Sequence, residues 1–205
     1  MSEIIKNSRE SYELYISNGI KNANDGKLDT AEKLFLKAIK INKKDYQAYI
    51  NLSNIYIIQK ENFKCSNILL TYLSKYGFNE YIVNHSGNLF FNYHLDKELE
   101  KLLLIIKKDL SRIKKNNHFI FYILGNYYGR KNEIKKSKNS YLKSISCYKF
   151  FFKSYLKLFN LLEKTNQIRN LTSLINDSFS IFKNNEEIKI LNLYKSLLLN
   201  RKKNY

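Results

Sequence analysis

Apolar side chains recur at helical spacing along nearly the whole chain, in short amphipathic stripes parted by polar turns such as Asn24-Asp25-Gly26-Lys27. The stripes come in pairs, and the pairs repeat. Counted from Tyr12, a slide of 34 residues aligns the first pair with a segment beginning at Tyr46, and further starts fall at Glu80, His118, Phe152 and Glu186. The steps are 34, 34, 38, 34 and 34, and the long one comes where Lys114-Lys115-Asn116-Asn117 extends a turn. A fixed period of this length marks a stack of small structural units, each too small to bury its own apolar face.

The columns of the repeat carry a packing logic. The eighth holds Gly19, Ser53, Gly87, Gly125 and Phe159, and the twentieth Ala31, Cys65, Leu99, Ser137 and Leu171. Small residues there let the two helices of a pair approach closely. Larger ones fill the space between, at the eleventh position (Tyr56, Phe90, Tyr128, Leu162, with Asn22 as the exception) and at the twenty-fourth (Phe35, Leu69, Leu103, Tyr141, Ile175).

These columns resemble those of the tetratricopeptide repeat (TPR). The first unit carries Gly19, Gly26, Leu28, Ala31, Phe35 and Ala38 at that family's positions, and the fourth carries Leu124-Gly125-Asn126-Tyr127-Tyr128. The third and fifth units are degenerate, and the terminal Pro of the family is absent throughout. The resemblance implies an all-α, right-handed superhelical solenoid of helix-turn-helix repeats. An extension at 1–11 precedes repeats at 12–45, 46–79, 80–117, 118–151 and 152–185, and 186–205 forms a capping helix or the start of a further repeat. It also implies a concave groove lined by the first helices, where a protein or peptide partner binds.

Composition qualifies this without displacing it. The 205 residues hold 36 Lys+Arg against 18 Asp+Glu, a formal charge of +18, which points to an anionic partner. Only five of the basic residues are Arg, the side chain best suited to bidentate phosphate recognition, and 27 residues are Asn, so part of the excess reflects an AT-rich coding bias. The charge is also uneven: residues 1–100 carry 13 basic and 12 acidic side chains, residues 101–205 carry 23 and 6. Lys107, Lys108, Lys114, Lys115, Lys135 and Lys136 fall on second helices or turns and form a candidate basic surface outside the groove. No apolar run is long enough for a membrane span, and Met1 to Asn7 has no apolar signal core, so a cytoplasmic location is expected.

No catalytic constellation emerges. His85, His94 and His118 lack ligand spacing, Cys65 sits in a packing column and Cys147 ends a second helix, so neither an enzyme nor a metal or other cofactor is expected. The candidate site is the groove. Its ninth column reads Ile20, Asn54, Asn88, Asn126, Asn160, and a ladder of amides can pair with the backbone of an extended peptide of any sequence. Beside it, Tyr81, Phe91, Phe119 and Tyr122 are candidates for apolar pockets. The carboxylate clamp found in some members of the family is missing, because Ile16, Ile20, Tyr81 and His85 stand at its positions and only Asn51 matches.

Residues 186–199 are apolar over more than one helical face, which suggests a homodimer through this helix or continuation into a longer chain. The leading expectation is a non-enzymatic scaffold for an extended peptide or partner helix, with an acidic partner favoured by the basic half. A substrate-presenting module of a larger sulfotransferase or glycosyltransferase is the alternative, and RNA or an anionic surface bound through the basic half is the third.

Overall fold

The computed structural model describes residues 2–109 and 117–203. All of its regular structure there is helical. The first helices of the pairs are α1 (Ser2–Asn24), α3 (Tyr46–Ile58), α5 (Glu80–Asn92), α7 (His118–Arg130) and α9 (Phe152–Lys164). Their partners are α2 (Leu28–Ile41), α4 (Asn62–Tyr76), α6 (Asp96–Asp109), α8 (Ile134–Cys147) and α10 (Ile168–Ile181), and α11 (Asn185–Lys203) follows. Four first helices begin on the first column of the period, and all five second helices begin on its seventeenth. The N-terminal segment, which sequence alone sets apart from the first repeat, is continuous helix with it in α1. Two compact units divide the chain, one spanning 1–113 and the other 114–205.

The turn inside each pair is the same five times over, whatever its residues. The N–H of position 16 bonds the carbonyl of position 11: Lys27 to Asn22, Glu61 to Tyr56, Leu95 to Phe90, Glu133 to Tyr128 and Gln167 to Leu162, all at 2.7–2.9 Å. The N–H of position 15 bonds the carbonyl of position 12 in every pair. This is a Schellman ending, and it requires position 15 to be left-handed. Gly26 meets that demand at φ 75°, but Lys60, His94, Asn132 and Asn166 occupy the same region at 52–62°. A side chain there costs about 1–2 kcal/mol, somewhat less for Asn, so the turn is imposed by the packing of the two helices and not by its own sequence.

The links between pairs are not uniform. Asp45, Asn79 and Asn117 each cap the next helix through a side-chain oxygen, bonding the N–H of Gln47, of Ile82, and of Phe119 and Ile120 respectively. Phe151 offers α9 no side-chain cap at all.

The packing columns behave as their sizes require. Ala31, Cys65, Leu99, Ser137 and Leu171 are all buried. A Cβ on Gly19 would lie 2.5 Å from the Phe35 ring, and one on Gly125 would lie 2.4 Å from the Tyr141 ring. The fifth pair reverses the sizes, with Phe159 at position 8 and Ile175 at position 24, both buried. Asn22, the exception in the eleventh column, turns its amide back to the Asn18 carbonyl at 2.8 Å.

Candidate functional site on the first-helix faces

In the unit of residues 1–113, α3 contains no charged residue, and α5 contains only Glu80. The face these helices share is knitted by two contacts. Tyr46 and Tyr81 stack with centroids 4.5 Å apart and planes 4° from parallel. The Ser53 Oγ lies 2.8 Å from His85 Nε2 and also donates to the Ile50 carbonyl at 2.7 Å. The hydroxyl has one proton and gives it to Ile50, so His85 donates from Nε2. Desolvation pulls the ring's pKa below its ordinary value.

Four of the sequence-predicted residues belong to this unit. Asn54 is exposed, and Asn88 is half-buried with its Nδ2 donating to Asn84 Oδ1 at 2.9 Å. Tyr81 keeps 61% of its surface exposed, and Phe91 is half-buried. Two apolar residues absent from the predicted set, Ile58 and Ile20, are exposed at 60% and 40%. Ile20 heads the ninth column, so the register alone identifies it, whereas Ile58 stands at the thirteenth position, outside that column. Asn51 has its Nδ2 buried with no acceptor among the described residues. Ile16, at a clamp position, is part of the core.

The unit of residues 114–205 treats its predicted residues differently. Asn126 is only 4% exposed, and its Oδ1 accepts from the Tyr141 hydroxyl at 2.9 Å. It therefore belongs to the core and is not open to a ligand. Tyr122 is corrected in the same way, being buried between Tyr141 and Phe151. Burial raises the pKa of both tyrosines. Asn160 is exposed, and its Oδ1 accepts from Tyr194 of α11. Phe119 is half-buried against His118 and Phe151. The ninth-column amides thus split into an open pair in the first unit and a tyrosine-bonded pair in the second.

The lysines of the predicted basic surface divide as well. Lys107, Lys108, Lys135 and Lys136 are exposed on second helices, Lys136 pairing with Glu133 and lying 5.4 Å over the Tyr128 ring. Lys114 and Lys115 lie outside the described residues. Cys65 is buried and its thiol pushed up to about 12, while Cys147 is half-buried and also raised by burial, so neither thiol is poised as a nucleophile. No described helix is long and apolar enough to cross a membrane.

No protein-family model matches the sequence, and no curated protein does. Solved structures do match by fold. The chain is similar to Pseudomonas aeruginosa pilF with a TM-score of 0.67 and 17% identity over 96% of this chain and 88% of that one. Its likeness to TTC0263, described as a thermophilic TPR protein of Thermus thermophilus, has a TM-score of 0.62 and 15% identity over 92% and 99%. YrrB, described as a TPR protein with an unusual peptide-binding site, gives 0.56 and 11% over 98% and 97%. With five helix pairs on one register and these structures as its likenesses, the chain has the fold of tetratricopeptide-repeat proteins.

Proposed function

We propose that this protein is a non-enzymatic scaffold whose first unit captures an uncharged, partly apolar segment of a protein partner on the face of α1, α3 and α5. The observation that carries the reading is the combination of amides with exposed apolar side chains on α3 and α5, two helices nearly free of charge. Charged residues make up 26% of the whole chain, yet α3 and α5 together hold one. Asn54 and Asn88 supply donor and acceptor to a peptide backbone, and Ile20, Ile58 and Tyr81 supply apolar contact. Burial of Asn126 removes the fourth repeat from the amide ladder. An acidic partner finds no cation on α3 or α5 and would have to engage elsewhere. YrrB's description as a peptide-binding TPR protein supports the class of ligand without specifying it.

The test is selection of peptides from a random displayed library by the full chain. Uncharged, apolar sequences are expected, with binding nearly independent of salt. Asn54→Ala with Asn88→Ala should weaken the selected peptides by about 1–3 kcal/mol, the net worth of two hydrogen bonds. Selection of acidic peptides whose binding collapses with salt would overturn the reading.

A second reading concerns α11. Leu191 and Leu198 are buried against the unit, but Leu193 and Leu197, one turn apart, are 58% and 46% exposed. A second copy pairing on this stripe is the homodimer expected from sequence. Sedimentation of the wild type beside Leu193→Lys/Leu197→Lys tests it, and a monomeric wild type refutes it.

A further inference from the structure

The second unit carries a surface that the repeat columns do not foresee. Between α8 and α9 the chain reads Tyr148-Lys149-Phe150-Phe151, and Tyr148 and Phe150 are 47% and 50% exposed. Their rings continue a contiguous row: Phe150 to Tyr148 at 5.9 Å, Tyr148 to His118 at 5.0 Å and His118 to Phe119 at 4.0 Å between centroids. Phe151 packs behind it, edge-on to His118 and Phe119. The row lies at the end of the unit where α7 begins, α8 ends and α9 begins.

Charge along the chain on either side of the row is one-sided. From residue 134 to residue 162 there are seven lysines and no acid. The acids bracketing this stretch, Glu133 and Glu163, sit at the start of α8 and the finish of α9, at the opposite end of both helices. Acids at the same end, Asp177 in α10 and Glu186 and Glu187 in α11, are on the following helices. Lys149 holds its ammonium 5.1 Å over the Phe150 ring, Lys143 lies near the finish of α8, and Lys153 is exposed in the first turn of α9.

We propose that this row of rings and its lysines form a binding site for single-stranded RNA, with bases stacking on Tyr148 and Phe150 and phosphates meeting Lys143, Lys149 and Lys153. Aromatic rings interleaved with cations are the elements of sequence-tolerant single-strand binding, because every base has a stacking face. A membrane surface is the competing polyanion and fits less well. Two half-exposed rings offer less apolar surface than one acyl chain, which itself anchors only marginally. Sinking Phe150 into lipid would also carry the ammonium above its ring toward hydrocarbon. The site is separate from the uncharged face of the first unit, so either proposal can fail alone.

The experiment is fluorescence anisotropy of a labelled oligouridine with the full chain across a salt series. Binding should weaken with a log–log slope of about −2, as three phosphate contacts on a single strand give. Tyr148→Leu/Phe150→Leu keeps the apolar bulk but removes the stacking faces, and should lose tenfold or more in affinity, roughly the stacking of one or two bases. Lys149→Ala/Lys153→Ala should flatten the slope by about 1.4; this variant decides the matter if the ring variant loses its helical circular dichroism. Absence of binding at about 50 mM salt overturns the proposal, since electrostatic affinity is then near its strongest. Equal affinity of a folded ring variant, or a slope unchanged in the lysine variant, overturns it too. So does ring-dependent capture of phosphatidylserine vesicles with no capture of oligouridine.

Discussion

Adding one methyl group at Gly125 tests the packing argument where it is tightest. The new Cβ would stand 2.4–2.5 Å from two carbons of the Tyr141 ring, against a comfortable separation of about 3.5–4.0 Å. Tyr141 is 4% exposed and donates its hydroxyl to Asn126, itself 4% exposed, so the ring cannot swing aside without breaking a buried bond. Overpacking of this kind costs about 1–3 kcal/mol, and leaving the Asn126 carbonyl and the hydroxyl unpaired adds about 1–3 kcal/mol. Replacing Gly by Ala inside a helix returns about 1 kcal/mol of intrinsic propensity. Gly125→Ala should therefore destabilise the second unit by about 3 kcal/mol, read as a lower urea midpoint in far-ultraviolet circular dichroism with an unchanged slope. Removing the obstacle should remove the penalty: in a Tyr141→Leu background the same Gly125→Ala change should cost less than about 1 kcal/mol, because no ring remains to be displaced. A loss below about 1 kcal/mol in the wild-type background, or an equal loss in both, would refute the assignment of position 8 as a steric contact.

Three further outcomes follow from the geometry. Lys60→Gly and His94→Gly relieve left-handed side chains in exposed turns, and each should raise stability by about 0.5–1 kcal/mol once glycine's greater freedom in the unfolded chain is deducted; a fall in urea midpoint contradicts the Schellman reading. His85 is half-buried, and desolvation holds its folded pKa below the unfolded value of about 6.5. Its contribution is fully present above that pH and is lost as pH falls toward the folded value. His85→Gln should accordingly flatten the stability of the first unit as pH falls below about 6.5, seen as a smaller acid-side shift of its thermal midpoint. Asn51→Leu removes a buried donor that has no acceptor among the described residues and should stabilise the first unit by about 1 kcal/mol, measured by thermal unfolding. Weaker capture of selected peptides by the same variant would tie that amide to the binding face.

The repeat and its helix starts were legible in the sequence because packing enforces them. A helix pair must close on its neighbour at a fixed spacing, so Gly19 with Phe35, and Gly125 with Tyr141, leave a period that survives loss of the family's terminal Pro. The reversed pair Phe159 and Ile175 shows the limit: volume is conserved across the contact while the column pattern is not. The amide ladder was only half legible. Column nine fixes where a side chain starts, but not whether a neighbour consumes it, and Asn126 is consumed because a tyrosine, not a phenylalanine, stands at position 141. The exposed Tyr148 and Phe150 lie in an inter-repeat turn, where no period constrains the residue. Their ring row depends on His118 and Phe119, some thirty residues away in sequence, and only the fold brings them together.

The constancy of the turn within each pair, set against the variety of the links between pairs, has a mechanical consequence. Hairpins held by five copies of one backbone bond pattern are stiff elements, while links capped here by Asp, there by Asn and elsewhere by no side chain are compliant ones. Strain applied along such an array concentrates at the links, leaving each hairpin's internal geometry intact. In the first unit the joints are the links capped by Asp45 and Asn79, so adjustment of the face of α1, α3 and α5 would fall there and leave the hairpins intact. If that face binds as proposed, it would take its adaptability from the joints and its definition from the hairpins.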